Sequence, residues 1–280
     1  MSDQKVEIHK KVATLGAKPG AERLRLIGDG LPVLLASAQE LADAEKLLPR
    51  EHQRARAILI GQAEEQAAKI LILLDAVRCP LECQKALSRT LRNFYNHLAR
   101  LIYAAASGWH AATLPELARY VDHGRTSHYL DGQYAPEFLY RNDLLDEREG
   151  FLYADLTDHD GDLEWRKPGP RFGGVPIEHD FLGSNVPWFH ALPLVEALSR
   201  VGMLTPEGLK VVARIWQPAK LDDQTHVVEI KTLNRRTLEQ MEELGHLSEA
   251  SEEDIRRVTD WQWPMYSLDF AEVSVHPQTS

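Results

Sequence analysis

Only two cysteines occur in 280 residues, Cys79 and Cys83, four apart around Pro80. No second Cys pair or neighbouring His completes a zinc site, so both read as reduced thiols. No window approaches the roughly 18 uninterrupted apolar residues that span a bilayer, and the opening MSDQKVEIHKK lacks the apolar core of a signal peptide. A cytoplasmic protein without membrane contact is expected. Repeats, low-complexity blocks and glycine-rich phosphate loops are missing, and no Ser/His/Asp or Cys/His nucleophile is legible. A broad cationic surface is missing too. The formal charge of −10 argues against a nucleic-acid coat, because such proteins gather cations over a whole face to neutralise phosphates. Any RNA contact has to be local.

What is present is 44% hydrophobic and 26% charged residues, enough for one large domain or two modest ones with buried cores. Residues 1–30 mix charge with Gly16, Gly20, Gly28 and Gly30 and read as a loose arm. Pro32 suits a first helical turn, and a helix is expected from there to Pro49. A second spans about 52–78, where Leu59, Ala63, Ala67, Ile70, Leu74 and Val77 line one face. A third, about 81–106, repeats Leu87, Leu91, Phe94, Leu98, Leu101 and Ala105 at alternating steps of four and three. A fourth follows Thr113, where Thr-Leu-Pro-Glu is a capping-box pattern.

Residues 31–121 thus predict an antiparallel helical bundle, followed by a connector over 122–149 with a short helix around Pro136 to Leu145. Residues 150–280 predict an α-rich extension packed on the bundle. In it, FLYADL and DLEWR flank a turn as a small β-hairpin, helices run over 188–201, 206–216 and 226–245, and the tail adds a strand. The fold class is mainly α.

The stretch with chemistry in it is Arg92-Asn93-Phe94-Tyr95-Asn96-His97. As a bare pattern Arg-x4-His arises about once by chance in such a composition, so its setting decides. On one straight helix, at about 100° per residue, Lys85, Arg89, Arg92, Asn93, Asn96, His97, Arg100 and Tyr103 share a face opposite the apolar seam. No carboxylate interrupts that face, whereas a solvated helix surface usually mixes signs. Metal-free RNA cleavage needs a base for the 2′-hydroxyl, an acid for the leaving 5′-oxygen and cations for the phosphoryl oxygens. His97 can shuttle protons and Arg92 can grip a phosphate in bidentate fashion, with Asn93 as a polar auxiliary. One chain offers one histidine here, so two helices facing across a two-fold axis would supply both proton-transfer groups. Arg89, Asn96, Arg100, Tyr103 and Lys85 would then bind substrate. The bland alternative is a surface pair that satisfies a short pattern.

Other clusters carry less. Asp158-His159-Asp160-Gly161-Asp162 and Glu178-His179-Asp180 have metal-ligand residue types, but Asp and Gly suit hairpin turns without any metal. Trp261-Gln262-Trp263-Pro264 reads as core or interface packing rather than base stacking. Neither metal nor cofactor is expected.

Arg92 to His97 resembles the ribonuclease motif of the HEPN superfamily, Arg-x4-6-His with a polar residue often directly after the arginine. The preceding ASAQELADAEKLLPREHQRARAILIGQAEEQAAKILILLDAVR is similar to the AbiV-type abortive-infection branch, in which a small-residue helix pair leads into Glu-Glu-x-x-x-Lys, here Glu64, Glu65 and Lys69. The likeness covers about residues 31–121. It implies a helical-bundle homodimer, a metal-independent endoribonuclease and a role in phage defence or toxin systems, with Arg92 and His97 as the catalytic pair. It also implies a phage-encoded activator or cognate inhibitor as partner. Glu65 and Lys69 enter as auxiliaries, although an i, i+4 Glu-to-Lys pair is commonly just helix support. Many HEPN modules are noncatalytic, so an interaction or regulatory protein that binds a phage or toxin-system partner is the competing class.

Overall fold

The structure is a computed structural model and describes residues 3–132, 135–140, 142–159, 162–169, 171–172, 175–176 and 191–275. The expected arm is instead helical. α1 (Asp3–Ala17) and α2 (Gly20–Leu47) meet at a tight turn, where the buried Arg23 donates from Nη1 to the carbonyls of Gly16 and Lys18 at 3.3 Å and so caps α1. Pro32 lies inside α2 rather than at its start. Packing overrides local signals here: Arg23, Ile27, Leu31, Ala38 and Ala42 are all buried. Gly28 is a place of close approach, since a Cβ there would lie 3.3 Å from Leu209.

α3 (Gln53–Arg78) runs through the centre and is buried at every residue from Ala67 to Arg78 except Lys69. A helix apolar on most sides belongs inside a domain, and the alanines at 63, 67, 68 and 76 let neighbours approach. Those neighbours include α2, α4 (Gln84–Asn93), α5 (His97–Ala106), α7 (Asp143–Leu152), α8 (Ala191–Arg200) and α9 (Pro206–Trp216). One apolar cluster joins residues from Val12 to Phe270, so the C-terminal helices share the core of the N-terminal ones. The fold is mainly helical, as expected.

The predicted continuous helix over 81–106 is two helices. Asn96 is extended and caps α5, its Oδ1 accepting from Ala99 N at 3.5 Å, and Phe94 and Tyr95 form the turn before it. Asn is a strong N-cap, and that preference interrupts a heptad-like seam that otherwise holds. α6 (Leu114–Gly124) starts as read, with Thr113 Oγ1 accepting from Glu116 N at 3.4 Å.

The expected connector helix at Pro136 is a strand. β1 (Thr126–Gly132) pairs antiparallel with β2 (Ala135–Tyr140) and parallel with β7 (Val273–Val275). Phe138, Leu139 and Tyr140 are strand formers, and α7 begins only after Asn142, whose Oδ1 accepts from Leu145 N at 3.1 Å. β3 (Asp155–His159) and β4 (Asp162–Arg166) form a hairpin, but its first strand is shifted from the expected FLYADL: Phe151 and Leu152 end α7, and Thr157 to His159 of the expected turn belong to β3. β5 (Arg171–Phe172) pairs with β6 (Val175–Pro176). α8 and α9 follow the sequence signals closely. Gly202 between them sits at φ +79, and a Cβ there would lie 2.6 Å from His246. α10 (Val227–Glu243) was expected, whereas α11 (Glu252–Thr259) was not, despite its Ser251–Asp254 capping box.

The chain's far end closes the core. Asp75, 1% exposed, pairs with Arg78 and accepts from Tyr103 Oη at 2.8 Å and from Met265 N at 2.7 Å. The Arg78 guanidinium lies 3.7 Å from the Trp261 ring centroid and 4.7 Å from that of Trp216, and Nη1 donates to Gln262 O at 3.1 Å. Trp261 and Trp263 are therefore core residues, as read. Asp75→Ala would leave the Arg78 charge buried with carbonyl and ring contacts alone. Truncating one member of a buried pair costs about 3–5 kcal/mol, and a fall of that size in the urea-extrapolated unfolding free energy is expected.

Candidate functional site

The break between α4 and α5 builds the site. Arg92 lies exposed in the last turn of α4, with no ion-pair partner among the described residues. His97 is the first residue of α5, its side chain 49% exposed. Between them, Tyr95 N donates to Arg92 O and Asn96 N to Asn93 O, each at 3.0 Å, which folds the motif into a tight corner.

Behind His97 stands Glu65 on α3, 2% exposed. Its Oε2 lies 2.8 Å from His97 Nδ1 and 3.3 Å from Arg100 Nη1, and its Oε1 accepts from Arg148 Nε at 2.7 Å. Burial alone would raise the Glu65 pKa. The hydrogen bonds from His97 and Arg148, with the charges of Arg100 and Arg148, outweigh burial and hold it at about 2. An ionised carboxylate only accepts, so Nδ1 of His97 donates to it, and in the neutral form of the ring this leaves the lone pair on Nε2. That is the geometry of a histidine oriented by a buried acid and half open to solvent.

Several residues expected at the substrate surface are elsewhere. Tyr103 is fully buried, stacked at 5.2 Å on Phe270 and bonded to Asp75, so it cannot reach a ligand. Arg89 Nη1 donates to Ser267 O at 3.0 Å and to Leu268 O at 3.4 Å and holds the tail down. Arg100 is buried against Glu65, and Asn96 is a helix cap that also accepts from Arg100 Nε at 3.3 Å. For Arg100, Tyr103 and Asn96 the cause is that a wheel drawn for one straight helix fails across the turn at 94–96, and for Arg89 it is the tail packed over α4. Lys85 is exposed near the start of α4. Asn93 is buried, and its Nδ2 has no hydrogen-bond partner among the described residues.

Of the two auxiliaries, Lys69 is half-buried with Nζ 3.1 Å from Gln66 Oε1 and 5.4 Å from the Phe94 ring centroid. Burial lowers its pKa and the Arg100 charge lowers it further, against the pull of Glu65. Glu65 contacts His97, Arg100 and Arg148, and Arg148 was not anticipated, because nothing in local pattern links α7 to α3 across 83 positions. The side chains of the Asp158 to Asp162 turn and all of the Glu178 to Asp180 cluster lie outside the described residues. Among the described residues no group of three or more His, Cys, Asp and Glu is placed to hold a metal ion, and no helix is long and apolar enough to cross a membrane. No family model, curated protein or solved structure matches the chain.

The neighbour of Glu65 faces the other way. Glu64 Oε2 accepts from the first N–H groups of α8, Ala191 at 2.8 Å and Leu192 at 3.2 Å. Burial nevertheless raises its pKa to about 7, the two N–H groups opposing the shift only in part. The two carboxylates therefore give opposite pH dependences from one starting value of 4.5. Glu65, depressed to about 2, stabilises the fold fully above the unfolded value and loses that contribution as pH falls from 4.5 toward 2. Glu64 must ionise in the interior as pH rises from 4.5 to about 7, which removes stability over that window. Each limb is worth on the order of 3 kcal/mol. Glu65→Gln should flatten the acid limb and Glu64→Gln the limb toward neutrality, read from urea midpoints across the pH range.

Proposed function

We propose that this chain is a metal-independent endoribonuclease of the abortive-infection type, acting as a HEPN-like homodimer in the cytoplasm. The observation that carries the reading is His97, held through Nδ1 by the buried, ionised Glu65 at 2.8 Å while its ring stays half exposed. A histidine fixed in that tautomer is prepared for proton transfer at Nε2. Arg92, exposed one corner away and without an ion-pair partner among the described residues, supplies a cation for phosphoryl oxygens, and the buried Asn93 would reach a ligand only by turning outward.

In this scheme Nε2 of one His97 takes the proton of the ribose 2′-hydroxyl as that oxygen attacks phosphorus. The bond from phosphorus to the 5′-oxygen breaks, and the second copy's His97, as imidazolium, gives that oxygen its proton. The products are a 2′,3′-cyclic phosphate and a free 5′-hydroxyl. The protons taken and given balance across the pair, and a later exchange of one proton with water resets it. Two copies of Arg92 bear on the two nonbridging oxygens, where charge builds in the transition state. The Glu65 carboxylate stabilises the imidazolium without accepting its proton, since its pKa lies far below. A phage-encoded activator or a cognate inhibitor would set when the site is open.

A noncatalytic interaction protein is the competing reading, and one observation favours it: Arg89, Arg100 and Tyr103 are engaged in structural contacts, which narrows the cationic surface. Incubating the purified protein with total RNA in EDTA separates the two. We expect cleavage that persists in chelator and leaves cyclic phosphate ends, is abolished in His97→Ala, and falls about 100- to 1000-fold in Arg92→Ala. Intact RNA under all conditions supports the interaction protein, and cleavage lost only in EDTA points to a metal.

A further inference from the structure

We propose that Arg148 of α7 is a positioning residue for the Glu65–His97 dyad. The inference deepens the reading of that dyad as a proton-transfer site and rests on it. Glu65 has two buried oxygens and three donors around them. Arg148 Nε takes Oε1 at 2.7 Å, which leaves Oε2 for His97 at 2.8 Å and, at the longer 3.3 Å, for Arg100.

Arg100 and His97 lie three residues apart on α5 and compete for one oxygen. If Oε1 lost its donor, it would be a buried charged acceptor without a hydrogen bond, an arrangement proteins avoid. The carboxylate would then turn to offer both oxygens to the Arg100 guanidinium, whose planar fork suits a two-point contact. His97 Nδ1 would be the partner displaced. Arg148 blocks this by occupying Oε1, so the orientation of the imidazole is set from an element beyond the motif-bearing helices.

Arg148 is placed for the task by clamps on α7 itself. Arg54, at the start of α3, donates from Nε to Phe151 O at 2.8 Å and from Nη2 to Leu152 O at 3.1 Å, which pins the C-terminal carbonyls of α7. At the other end, Asn142 caps α7, is buried and donates its backbone N–H to Ser127 Oγ at 3.1 Å. Between the two ends Leu144, Phe151 and Leu152 face Ala57, Ile58 and Leu101 across a small apolar gap of about 40 Å³. The helix is thus held at its ends by directional bonds, and the ion pair of Arg148 with Glu65 ties it to the site.

The test is 15N NMR of the His97 imidazole in the full chain, with RNA cleavage kinetics alongside. The wild type should show the Nδ1-protonated tautomer. Arg148→Met should lose that preference and lower kcat by about ten- to a hundredfold, the usual range for residues that orient a functional group, with KM unchanged. Arg148→Lys should restore part of both. Arg54→Met, which removes one of the two end clamps but leaves Arg148 and Glu65 themselves in place, should lose much less of the tautomer preference than Arg148→Met. A retained tautomer in Arg148→Met overturns the proposal, as does a change carried by KM, which would make Arg148 a substrate contact. An equal loss in Arg54→Met also overturns it, by assigning the effect to the docking of α7. If the wild type cleaves no RNA, the nuclease reading fails while the NMR arm still decides the role of Arg148.

Discussion

A helix enclosed on nearly every side must find an internal partner for each charge it carries. α3 carries four such charges in the core, Glu64, Glu65, Asp75 and Arg78, each no more than 2% exposed. Glu64 goes to the N-terminus of α8, Glu65 to α5 and α7, and Asp75 with Arg78 to the tail at Trp261, Gln262 and Met265. The rest of the molecule is arranged around these demands. Segments remote in sequence are brought to α3 because it offers them charge, and the apolar cluster fills what lies between.

The same constraint explains what the sequence made legible. α3 itself, the Thr113 cap, the β3–β4 hairpin and the run from Thr205-Pro206 all rest on local signals, periodicity, capping and turn chemistry, and they were readable. The helices of residues 1–30 were not, because the approach of Gly28 to Leu209 of α9 and of Gly16 to Leu91 of α4 is tertiary packing that glycine content alone does not report. The α4–α5 break was hidden by a seam that continues across it: Leu91 and Leu98 are both buried although a corner separates them. At the site, Arg92 and His97 could be singled out by residue type and spacing. The partnership of Glu65 with His97 spans 32 residues and that with Arg148 spans 83, and no helical period reports on distances of that kind.

The corner also changes the chemistry expected of the motif. On a straight helix Arg92 and His97 would point apart, and Tyr103 and Arg89 would join them on one broad cationic face. The turn separates the two helices, with Tyr103 buried on Asp75 and Arg89 bonded to the tail, and leaves an oriented histidine at the start of α5 and an exposed arginine at the end of α4. What remains is smaller than a nucleic-acid surface and better suited to one phosphate than to a length of backbone.

The tail's place in the core has a consequence for synthesis. A chain leaves the ribosome from its N-terminus, so α3 emerges long before its last partners, with Met265 following Asp75 by 190 positions. Until then Asp75 and Arg78 have each other but neither the indole walls nor the backbone donors that seat them. The core therefore matures only after residue 265 has been made. The interior is complete only once this distant contact closes, a delay written into the contact order of a single buried aspartate.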